Sequence, residues 1–175
     1  GYAGRYAKQK NIPSLLFAFS KVVKKYKNIY LFMAGKDINL DNKELVNHIK
    51  KIEIKNKVIF LSEQKNLLEF YNGIDLLTLT SLSESFPNVV PESMLCSTPV
   101  LSSNAGCSKK IINNCGFVMK NNNVQSIFRN LDRVIQLQVN NKKNWKILKK
   151  KTRLQIIKNF SISNMSNEYL QNWAY

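Results

Sequence analysis

Short runs of consecutive apolar residues alternate with longer stretches in which apolar residues return every three or four positions, and this alternation restricts the chain more than any other feature. Residues 13–26 set Leu15, Leu16, Phe19, Val22, Val23 and Tyr26 along one helical face, with lysines between them. Residues 29–34 form an apolar run that stops at Gly35. The cycle then predicts a helix over 42–52, a strand over 58–61, a short helix over 67–71, a strand over 75–80, a helix over 89–96 and strands over 100–102 and 116–119. Unbroken apolar strands separated by helices belong to a parallel sheet covered on both faces. The expectation is an α/β, Rossmann-like parallel sheet with helices on both faces and a helical C-terminal tail, in one domain over residues 1–175. In the tail, from Val124, apolar positions keep helical spacing through Ile127, Leu131, Trp145, Leu148, Met165, Tyr169 and Trp173, which predicts packed helices with both tryptophans in the core. Residues 121–123 and 140–144 read as polar breaks. Residues 1–4 read as the end of a strand entering a loop, so the sequence is expected to be a piece of a longer polypeptide.

In an open parallel sheet, ligands sit beyond the carboxyl ends of the strands. That selects the loops at 4–11, 35–40, 62–66, 81–88 and 103–109. In the first, Gly4 permits close approach of the backbone, and Arg5 and Lys10 follow as two cations five residues apart. A rigid guanidinium fork and a mobile ammonium together suit a diphosphate, although two surface cations would read the same way. In the fourth loop, Glu84 and Glu92 stand eight positions apart, with Asn88 as the expected side-chain N-cap of a helix starting near Val89 and Pro91 in its first turn. The positive end of that helix would face the crevice, and ionised carboxylates accept the paired hydroxyl hydrogen bonds that sugar rings offer.

Other chemistries find less support. His48, the single histidine, falls on a lysine-bordered helix and reads as a surface residue, and no G-x-S-x-G elbow accompanies it. There is no G-x-G-x-x-G and no P-loop. Cys96, Cys107 and Cys115 are odd in number and form no C-x-x-C pair, which fits a reducing cytoplasm better than a disulfide framework or a zinc site. No apolar run approaches the roughly 18 residues that cross a bilayer, so any membrane contact is expected to be peripheral. The formal net charge of +16 favours anionic partners, and much of it lies between Arg133 and Lys158 with no acid until Glu168. A solvated helix face, an anionic membrane surface and nucleic acid stay open for that segment, nucleic acid least favoured.

The stretch Ser83-Glu84-Ser85-Phe86-Pro87-Asn88-Val89-Val90-Pro91-Glu92-Ser93-Met94, followed by Thr98-Pro99-Val100, resembles the signature of the group 1, or family four, glycosyltransferases of the GT-B fold, whose mark is a glutamate, seven residues and a second glutamate. Gly4-Arg5 with Lys10-Asn11, Ala34-Gly35 and Gly116-Phe117-Val118 resemble its other motifs, in order, over residues 1–137. The resemblance implies that this is the C-terminal, donor-binding domain, with the N-terminal acceptor domain as its missing partner. It also implies that Arg5 and Lys10 hold the diphosphate of a UDP- or GDP-sugar, that Glu84 addresses the hexose, and that Glu92 addresses the ribose. Backbone amides at Ser85, Phe86 and Asn88 would approach the sugar and phosphates, and Leu61, Ser62 and Glu63 the nucleobase. Two departures stand out: Ser85-Phe86-Pro87 replaces the family's usual Gly-Phe-Gly, and Lys109 and Lys110 stand beyond Gly106 where many members carry an acid.

The implied reaction is transfer of a sugar with retention at the anomeric carbon and without a metal, in polysaccharide, lipopolysaccharide or related glycoconjugate synthesis; the expected location is the cytoplasm, with contact at the inner face of the membrane left open. A non-catalytic sugar-nucleotide-binding or scaffold domain and a basic nucleic-acid-binding module are the alternatives.

Overall fold

The computed structural model describes residues 1–173. Six short strands, β1 (Tyr2–Ala3), β2 (Leu31–Ala34), β3 (Val58–Phe60), β4 (Leu77–Leu79), β5 (Val100–Ser103) and β6 (Phe117–Met119), alternate with helices. The helices are α1 (Ile12–Lys25), α2 (Lys43–Lys51), α3 (Leu68–Gly73), α4 (Val89–Leu95), α5 (Ser108–Ile112), α6 (Val124–Asn140), α7 (Lys142–Asn159) and α8 (Ile162–Trp173). Every predicted strand and helix is present, with ends shifted by no more than two residues; α5 and the 3-10 turns at Lys8–Lys10 and Lys55–Lys57 are additions. The break expected over 140–144 narrows to Asn141, whose side chain accepts from the Asn144 N–H and so starts α7 immediately.

The strands form two parallel three-stranded sheets, β1-β2-β3 and β4-β5-β6. Strands β1 and β4 meet edge to edge, and the Thr78 N–H donates to the Gly1 carbonyl at 2.8 Å. Across both sheets the order is therefore β3-β2-β1-β4-β5-β6. The chain winds outward one way from β1 and then the other way from β4, which makes the β1/β4 junction the topological switch point, the place where an open α/β sheet opens a crevice.

Each face of the sheet carries its own core. On one side Leu15, Leu16, Phe19 and Val22 of α1 pack with Leu45 of α2 and Ile127 and Leu131 of α6. On the other, Phe70 and Tyr71 of α3, Val90 and Met94 of α4, Ile111 of α5 and Ile156 of α7 cover β4 and β5. A fully buried aliphatic such as Leu16 contributes about 1.5–3 kcal/mol. Helices α2 and α6 start on asparagine caps, with Asn42 and Asn123 accepting from the N–H groups three residues on.

The tail departs from expectation at its end. Trp145 is buried, but Trp173 is 79% exposed and α8 has no buried residue. Helical spacing shows that a face prefers cover; it does not supply the surface that covers it.

A cavity of about 740 Å³ opens at the amino ends of the strands, between Phe19, Val22 and Leu131. It lies at the opposite end of the sheet from the predicted site residues and contains none of them.

Candidate functional site

The carboxyl ends of β1, β2 and β3 are stitched into a ledge by backbone hydrogen bonds. The Gly4 N–H donates to Ala34 O at 2.9 Å, the Tyr6 N–H to Lys36 O at 2.9 Å and the Gly35 N–H to Ser62 O at 2.8 Å. Gly35 has φ +143°, and a Cβ there would lie 2.1 Å from the Gly4 carbonyl oxygen. Only glycine lets the second loop approach the first this closely. Leu61, Ser62 and Glu63 therefore occupy the same ledge as Gly4 and Arg5, two strands further out. Leu61 also lines a cavity of about 310 Å³ with Gln64 and Phe70.

The loop after β1 crosses to the loop after β4. The Leu82 N–H donates to Gln9 O at 2.7 Å, and Thr80 Oγ1 donates to Lys10 O at 3.0 Å. This crossing delivers two predicted residues to each other: Lys10 Nζ lies 2.5 Å from Glu84 Oε1, with the side chains only 15% and 11% exposed. Ser81 Oγ donates to the same carboxylate oxygen at 2.6 Å. At such low exposure the pair is poorly screened, and the hydroxyl supports the carboxylate from inside the protein. Ser81 is held in turn, since its carbonyl accepts from Ser103 Oγ at 2.7 Å and Asn122 Nδ2 at 3.0 Å.

The loop after β5 closes the third side. Gly106 has φ +54°, and a Cβ on it would stand 2.3 Å from Glu84 O and 2.4 Å from Ser85 O. The Cys107 N–H donates to Ser85 O at 3.1 Å. Residues 103–109, predicted as loop, thus contain a turn that buttresses the Glu84 loop and then enters α5 at Ser108.

Helix α4 begins at Val89 as expected, but Asn88 does not cap it through its side chain. Its backbone is already helical at φ −52°, ψ −35°, whereas a capping side chain needs an extended backbone to reach the next turn. Asn88 instead contributes its carbonyl, which accepts the Glu92 N–H at 3.1 Å. Glu92 sits exposed in the first turn, and its Oε2 accepts from Tyr71 Oη at 2.7 Å. Burial, followed by that hydrogen bond, pushes the Tyr71 phenol well above the ordinary tyrosine range, so it remains a donor.

The structure therefore brings Lys10 and Glu84 into contact and keeps Glu92 apart from them, at the α3 side of the same helix start. Arg5 is exposed on the ledge after β1, its carbonyl accepting from Tyr2 Oη at 3.2 Å. Ser85 and Phe86 are exposed on the turn between the glutamates, with Phe86 6.3 Å from Phe160 at the end of α7. His48 is half-buried on α2, 3.8 Å from Glu44. Ser81 and Tyr71, which position the two carboxylates, escape sequence reasoning. Ser81 carries a weak signal, closing β4 three residues before Glu84, while Tyr71 carries none because its contact spans 21 residues.

Lys10 and Glu84 thus meet at the switch point, with Arg5 on the glycine-lined ledge and Glu92 in the first turn of α4 on the neighbouring elements. Such a set offers positive charge to phosphates and acceptors to hydroxyls along one extended ligand. Among the described residues, no group of three or more His, Cys, Asp or Glu converges, and no helix is long and apolar enough to cross a membrane.

Residues 1–155 match the sequence profile of a family described as glycosyl transferases group 1. The capsular polysaccharide biosynthesis glycosyltransferase CapM of Staphylococcus aureus is 24% identical over 139 residues, 77% of this chain and 36% of CapM. Among solved structures, HepE of Anabaena in complex with UDP superposes with a TM-score of 0.83 at 19% identity, covering 99% of this chain and 48% of HepE. The C-terminal domain of the group 1 family protein LpcC of Francisella tularensis has a TM-score of 0.77 at 22% identity and covers 93% of this chain and 86% of that domain. The chain thus spans about a third of CapM and about half of HepE.

Proposed function

The chain belongs to the group 1 glycosyltransferases, and we propose that it is the lobe of such an enzyme that grips a nucleoside-diphosphate sugar for retaining transfer. The observation that carries this reading is the contact of Lys10 with Glu84 at the β1/β4 switch point, a cation and a carboxylate side by side where phosphate and hexose of one donor meet.

In this reading Lys10 and Arg5 bind the diphosphate and stabilise the charge that grows on it as the bond to the anomeric carbon breaks. Glu84 accepts hydrogen bonds from the hexose and positions it without attacking it. The amides of Ser85, Phe86 and Asn88 line the phosphates, and Glu92, steadied by Tyr71, takes the ribose hydroxyls. Leu61, Ser62 and Glu63 receive the base, for which the apolar wall and amide of the cavity at Leu61, Phe70 and Gln64 are suited. A UDP- or GDP-sugar is the donor class, and the UDP complex of HepE supports the first. The two cations supply the neutralising charge, so no metal enters the proposed chemistry.

A second lobe supplies the acceptor, in keeping with relatives about twice as long. The likeness to CapM supports a role in bacterial surface polysaccharide or related glycoconjugate synthesis on the cytoplasmic side. The test is a radiolabelled-donor assay comparing this chain with a polypeptide that adds the acceptor lobe. Transfer is expected only from the longer protein, and turnover by the chain alone would contradict the assignment of roles.

A further inference from the structure

Helix α7 buries Trp145, Thr152 and Ile156 against the domain, and its outer face has an unusual composition. Lys143, Ile147, Lys150, Leu154 and Lys158 follow at intervals of three or four, so they form one stripe along the solvent side. Ile147, Leu154 and Ile157 are 42%, 61% and 47% exposed on that stripe. Every charged residue of the helix is a cation. Among the described residues none of them is paired with a carboxylate.

We infer that the outer face of α7 docks on the anionic surface of a lipid bilayer. The lysines attract acidic headgroups, and the exposed aliphatics between them enter the headgroup boundary while the long lysine stems snorkel outward. Nucleic acid fits less well. A strand-binding face interleaves its cations with exposed aromatics for stacking, whereas the aromatic of α7, Trp145, is buried and the outer apolar residues are aliphatic. The inference is independent of the donor assignment, but the two are compatible in space. α7 lies against α4, whose first turn carries Glu92, and its end contacts Phe86 through Phe160. A membrane on this face would lie one helix layer from the site.

The test is co-sedimentation of the whole chain with phosphatidylcholine vesicles, with and without phosphatidylglycerol. Binding is expected only to the anionic vesicles, falling as salt rises. The double substitution Lys150→Glu/Lys151→Glu should weaken it at least about tenfold, since each lysine near such a surface is worth roughly fivefold. Leu154→Ser/Ile157→Ser should remove the part of the binding that survives high salt. The same charge reversal at Lys50 and Lys51, exposed on α2, should have little effect, and circular dichroism should show all variants folded. Equal binding to neutral vesicles, no binding, or equal loss from the α2 and α7 reversals would overturn the inference. Tighter binding to single-stranded RNA than to vesicles, insensitive to Leu154→Ser/Ile157→Ser, would reassign the face to nucleic acid.

Discussion

Lys10 and Glu84, 74 residues apart in sequence, meet at 2.5 Å because the loop after β1 and the loop after β4 cross at the point where the sheet reverses its winding. The fold supplies the meeting place, and Ser81 fixes the carboxylate that waits there.

Lys10→Ala removes a charge that the donor diphosphate would otherwise meet. Nucleoside-diphosphate affinity measured by calorimetry is expected to fall at least about tenfold, close to 1.4 kcal/mol, while Lys10→Arg restores part of it. Unchanged affinity in Lys10→Ala would remove the lysine from the site.

Gly106→Ala places a Cβ 2.3 Å from the Glu84 carbonyl oxygen in a backbone conformation that L side chains rarely adopt. The loop must shift, at a cost of about 1–3 kcal/mol, and Glu84 shifts with it. Thermal unfolding should show a lower Tm, and nucleotide-sugar affinity should fall more than affinity for the nucleotide alone, since Glu84 is proposed to address the sugar. An unchanged Tm would contradict the close packing of these loops.

The phenols of Tyr2 and Tyr71 are both pushed above the usual tyrosine value, chiefly by burial and secondarily by the adjacent Glu84 and Glu92. The stability linked to these shifts is fully present below the unfolded value, near pH 10, and is lost as pH rises toward the folded values, because the unfolded chain releases protons that the native protein keeps. Urea midpoints are expected to fall between about pH 10 and 11. Tyr71→Phe should flatten that fall and, at neutral pH, cost about 0.5–1.5 kcal/mol for the lost hydrogen bond to Glu92. Midpoints independent of alkaline pH would show both phenols titrating freely.

The proposed binding of the donor by paired cations calls for no divalent ion. Nucleotide affinity should therefore be the same in excess EDTA and in added magnesium or manganese, by calorimetry on this chain. An affinity that appears only with the metal would move the diphosphate away from Arg5 and Lys10.

The strands were legible because Leu31, Met33, Leu77, Leu79, Val100 and Leu101 are buried between two helix layers, which forces unbroken apolar runs. The loops that face the crevice followed from the strand ends alone. Less was legible where the cause is long-range. Nothing local marks Tyr71 as the partner of Glu92, and Gly106 reveals its role only when the Glu84 carbonyl is seen against it. Asn88 illustrates a different limit: its residue type favours a side-chain cap, but its helical backbone turns the side chain away from that task. Trp173 follows helical periodicity like Trp145, yet only Trp145 has a surface of this domain to pack on.

The most direct measurement is titration of this chain with UDP, GDP and ADP sugars, followed by thermal shift, in the native protein and in Arg5→Ala and Glu92→Ala. Stabilisation by one nucleotide class, lost in both variants, is the predicted result. Stabilisation that persists in both, or none from any nucleotide sugar, would contradict a donor site at the junction of β1 and β4.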